Sequence, residues 1–124
     1  MTKEAVIQSF FESFGLSAYP ATSVPTGSDA PSFPYITYTA PTDSDLGRAS
    51  VSASVWYRTT NWTQLNAKVR EISEAVGDKK VLECDEGGII VRKASPFAQP
   101  FGDDSDNMIK RKVLTFEFLF ATIY

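Results

Sequence analysis

Residues Ala49–Gly77, ASVSASVWYRTTNWTQLNAKVREISEAVG, read as a strand, a tight turn and an amphipathic helix, in that order. From Ser50 to Arg58, Val51, Ala53, Val55 and Tyr57 alternate with Ser52, Ser54 and Trp56. A period of two buries one face of a sheet and leaves the other more polar. Asn61 then offers an N-cap, with Gln64 three residues on at capping-box spacing. Trp62, Leu65, Val69, Ile72 and Val76 step by three and four and share one side of a helix. Asn66, Lys68, Arg70, Glu71 and Glu74 take the other side, and Gly77 supplies the C-cap.

Downstream, Lys80–Cys84 and Ile89–Lys93 form a hairpin turned by Asp85-Glu86-Gly87-Gly88, where glycine can take positive φ. Ala94–Asn107, with Pro96, Phe97, Pro100 and Phe101, reads as a loop. Met108–Tyr124 is the strongest strand. Leu114, Phe116, Phe118 and Phe120 line one face, the expected seat for the helix face of Trp62, Leu65, Val69 and Ile72.

Upstream, Tyr35–Thr39 is a strand by its β-branched and aromatic content. The polar run Ala40–Arg48 (APTDSDLGR) is the tip of a hairpin longer than a minimal turn. Ser17–Pro34, carrying Pro20, Pro25, Pro31 and Pro34, reads as a loop of unusual length for a compact domain. It has no PxxP pattern with basic flanks. At the start, Thr2 caps a helix whose Val6, Phe10 and Phe14 mark one face, widened by Ile7 and Phe11, with Gly15 ending it. These phenylalanines read as core, with docking on a neighbouring subunit as the alternative.

Composition narrows the function classes. A chain of 124 residues with 43% hydrophobic and 13% aromatic content fits one globular domain, residues 1–124. The single cysteine, Cys84, forbids an internal disulfide. No stretch approaches the roughly 20 apolar residues of a membrane span, and MTKEAVIQSFFESF lacks a signal-peptide core. A protein made in a reducing cytoplasm is expected. A net charge of −3 argues against gripping nucleic acid through many phosphates. With no histidine, the commonest general base and metal ligand is missing.

Individual candidates for chemistry are weak. Asp103, Asp104 and Asp106 form an oxygen-rich cluster without the glycine turn and distal glutamate of an EF-hand, and read first as a solvated acidic turn. Asp85 and Glu86 make another acidic turn. Cys84 has no histidine to activate it. Gly87-Gly88 belongs to no phosphate-loop pattern. In Lys110-Arg111-Lys112 the two lysines share a face and Arg111 points the other way. That run reads as a solvated strand edge, or as a pairing surface for an acidic neighbour. No catalytic, cofactor-binding or metal-binding residue and no cofactor are assigned.

The layout as a whole resembles the tail terminator and minor tail proteins of long-tailed (siphovirus- or myovirus-like) bacteriophages. Val55-Trp56-Tyr57-Arg58, followed by Asn61-Trp62 and the helix through Ile72, carries the resemblance. With the elements above it implies an α+β fold: two helices packed on one face of a four- to five-stranded, mostly antiparallel sheet, with a long hairpin and loops. It implies a homo-oligomeric ring, a hexamer, that caps the tail tube, ends tail polymerisation and joins the head connector. DNA would pass its lumen without specific binding, and the protein would reside in the virion tail or neck after assembly in the host cytoplasm. Asp43, Asp45 and Arg48 at the hairpin tip would meet the tube or lumen. Arg58, Phe97, Phe101, Lys110 and Lys112 would meet the neighbouring subunit. The alternatives are a head–tail joining protein of the same particle, a small acidic metal-dependent hydrolase using Asp103, Asp104 and Asp106, and a generic binding module.

Overall fold

A computed structural model of the chain describes residues 1–41, 46–103 and 105–122. Helix α1 spans Lys3–Glu12, and Thr2 caps it by accepting the Ala5 N–H on its hydroxyl at 3.1 Å. Strands β1 (Ser17–Pro20), β2 (Tyr35–Thr39) and β3 (Leu46–Arg58) follow. Helix α2 (Thr63–Val76) separates these from β4 (Lys80–Cys84), β5 (Gly87–Gly102) and β6 (Ile109–Thr122). Among the described residues the strands form one sheet in the order β1-β2-β3-β6-β5-β4, with β1 parallel to β2 and every other pair antiparallel.

This overturns the expected four- to five-stranded sheet with two helices laid on one face. The sheet has six strands, is mixed, and curls into a half-barrel. Helix α1 touches β1 and β4, the two edges of the sheet, so it spans the mouth of the curl. Helix α2 packs on β5, β3 and β6 in the middle. A curl closed by a helix leaves fewer bare edges than a flat two-layer sandwich.

Two segments expected to be loops supply the missing strand length. Part of Ser17–Pro34 is β1, and a parallel partner needs a connection of a dozen or more residues. The proline-rich run from Ala21 to Pro34, with 3-10 turns at Ala21–Ser23 and Gly27–Asp29, is that connection. Likewise Ala94–Gly102 continues β5 against β6, after an irregularity between Lys93 and Ala98. The second hairpin turns tighter than expected, with β4 ending at Cys84 and β5 starting at Gly87. Gly87 is required there: at φ +144° a Cβ would lie 2.2 Å from the Ala121 carbonyl oxygen.

The concave side is the core. Val51, Ala53, Val55 and Tyr57 of β3 and Leu114, Phe116, Phe118 and Phe120 of β6 are buried there against Leu65, Val69, Ile72 and Val76 of α2. Trp62 is partly buried at the same surface. Phe10 meets Phe11, Phe14, Phe116 and Phe118 edge-on, and Phe11 stacks on Tyr38 at 4.6 Å. Polar side chains fasten the helices. Lys68 of α2 donates to the Phe14 carbonyl at 2.7 Å, just past α1. Lys93 of β5 donates to the Ser73 carbonyl and hydroxyl at 3.1 and 2.9 Å. The expected capping box at Asn61 is replaced by a shorter Asx-type contact, in which Asn61 accepts the Thr63 N–H at 3.0 Å.

Candidate functional site: the uncovered outer face of the sheet

Alternation along each strand sends every second side chain to the convex side of the sheet, away from both helices. On β3 these are Ser52, Ser54 and Trp56, none of them buried. Register then sets what stands beside them. Tyr35 pairs with Trp56, Trp56 with Arg111, and Arg111 with Phe101. One transverse row, Tyr35–Trp56–Arg111–Phe101, therefore crosses β2, β3, β6 and β5.

The row is built from stacked planes. The Tyr35 and Trp56 rings are parallel within 14° at 6.1 Å. The Arg111 guanidinium lies 4.9 Å from the Trp56 ring and 5.2 Å from the Phe101 ring. Trp56 Nε1 donates to Thr37 Oγ1 at 2.9 Å, which fixes the indole. Arg111 donates to Ser54 Oγ at 3.4 Å. Phe33 and Tyr19 extend the aromatic cluster beyond Tyr35, at 5.2 and 6.4 Å. Burial pushes the Tyr35 hydroxyl above the ordinary phenol range. A shallow trough lies on each side of the row. One is lined by Thr37, Ser54 and Val113, the other by Gly102, Asp103 and Ile109.

Phe101 reaches this face only because of the irregularity in β5. Ile89 and Val91 point into the core, but after the register shift Ala98 pairs with the core residue Leu114. The parity has inverted, so Phe101 faces outward and is 43% exposed.

The remaining residues singled out from the sequence fall in different places. Asp43, Asp45 and Asp104 lie outside the described residues. Arg48 is exposed on the outer face, 3.6 Å from Glu117. Arg58 pairs with Asp106 of its own chain. Phe97 is half-buried and meets Phe116 at 5.3 Å, within the core. Lys110 donates to the carbonyls of Thr59 and Asn107 at 2.9 and 2.6 Å and lies over Trp62. Lys112 is half-buried beside Val55 and Pro100 in the ladder. Because β6 runs between β3 and β5, the basic run is interior to the sheet and not at its edge.

The acidic turn is engaged in holding its own backbone. Asp103 accepts from the Ser105 hydroxyl and N–H at 2.7 and 2.8 Å, and from the Asp106 N–H. The Ser105 bonds hold its carboxyl below the ordinary range. Asp106 is lowered by the Met108 N–H and then by Arg58. A general acid needs the opposite displacement. Among the described residues no group of three or more His, Cys, Asp or Glu side chains is placed to hold a metal ion. No helix among them is long and apolar enough to cross a membrane.

No known protein family, curated protein or solved structure matches this chain. The outer row therefore stands on its own chemistry. In the sequence Tyr35 reads only as strand content and Arg111 only as edge charge. The sequence signal was Trp56, a large aromatic on the polar side of an alternating strand.

Proposed function

We propose that the chain is a structural assembly subunit that works through the outer face of its sheet. In this reading it is a virion protein of a long-tailed phage. Copies form a ring on the tail tube, end tube growth and present a joint to the head connector, and DNA passes through without specific binding. Two things support it: the resemblance carried by Val55–Arg58, Asn61-Trp62 and the helix that follows, and the uncovered Tyr35–Trp56–Arg111–Phe101 row. The row is the observation that carries the proposal. Tyr, Trp and Arg are the residues that dominate binding energy in protein interfaces. Here they are ordered by stacking, on a sheet face that neither α1 nor α2 covers. No reaction is needed to account for such a surface.

The test is assembly. The purified chain is examined by sedimentation velocity and negative-stain imaging, then added to growing tail tubes. Ring-shaped particles and arrested tubes are the expected result. A chain that stays monomeric at high concentration and leaves tube growth unaltered would sink the proposal.

A further inference from the structure

We draw no further inference here: the strongest candidate, the aliphatic patch of Val81, Ile90 and Leu119 across β4, β5 and β6 on the outer face of the sheet, is flanked by charges of both signs, Glu83 with Arg48 and Arg92, and nothing in the structure shows what covers it.

Discussion

Both faces of this sheet carry clustered aromatic rings, and the two clusters behave differently. On the concave side Phe116 is fully buried and touches the rings of Phe10, Phe11, Phe97 and Phe118. On the convex side Trp56, larger and equally aromatic, stacks on Tyr35 and Arg111 and remains partly open to water. The first set of rings holds the chain together. The second is ordered by its own stacking and hydrogen bonds yet keeps contact surface in reserve. Among the described residues neither α1 nor α2 covers these stacked aromatics, and that difference between the faces is what the proposed contact surface rests on.

The contrast is broken most directly at Phe116. Phe116→Ala should cost about 3–5 kcal/mol in urea unfolding, because the cavity is walled by other rings that cannot collapse into it. Leu65→Ala, on the buried face of α2, should cost about 2–5 kcal/mol by the same measurement. A loss below about half a kcal/mol at Leu65 would mean that α2 does not seat on the sheet through that face.

Trp56→Ala sharpens the comparison from the other side. It removes one stacked pair, one cation–π contact and the bond to Thr37, and should cost only about 1–2 kcal/mol of folding stability. Its larger effect should be on self-association, read by sedimentation velocity at a concentration where wild type assembles. If Trp56→Ala destabilises as much as Phe116→Ala and leaves association untouched, the outer row is a second core and not a contact surface.

This division of labour was only half legible in the sequence. The concave side was readable because its signals are local. Period-two alternation in β3 and β6, three-and-four spacing in α2 and the Phe10–Phe14 stripe each name their own buried face. What escaped depends on partners far away in the chain. Ser17–Pro20 has little strand propensity and becomes β1 only because β2 offers it a parallel edge. Ala94–Gly102 carries two prolines and still pairs with β6. The outer row escaped for the same reason, since its members come from four strands and meet through register. For Phe101 the meeting also needs the irregularity in β5, which swaps the two faces. Trp56 alone announced itself, by standing on the wrong side of its alternation.

The smallest predicted effect concerns the turn that launches β6 toward this row. Asp106 accepts the Met108 N–H at 2.9 Å and pairs with Arg58 at the end of β3, and both contacts favour its charged form. Its carboxyl is therefore lowered in the folded chain relative to the unfolded one. A lowered folded value means that its contribution is fully present above the unfolded carboxylate range. It is lost as pH falls through the folded value. The group is exposed, so the contribution is small and weakens with salt. Urea midpoints followed from neutral pH into the acid range should fall less steeply for Asp106→Asn than for wild type, the two curves converging at the acid end. Identical pH slopes for the two proteins would show that the turn is held by its backbone alone, and that the carboxylate plays no part in presenting the outer face.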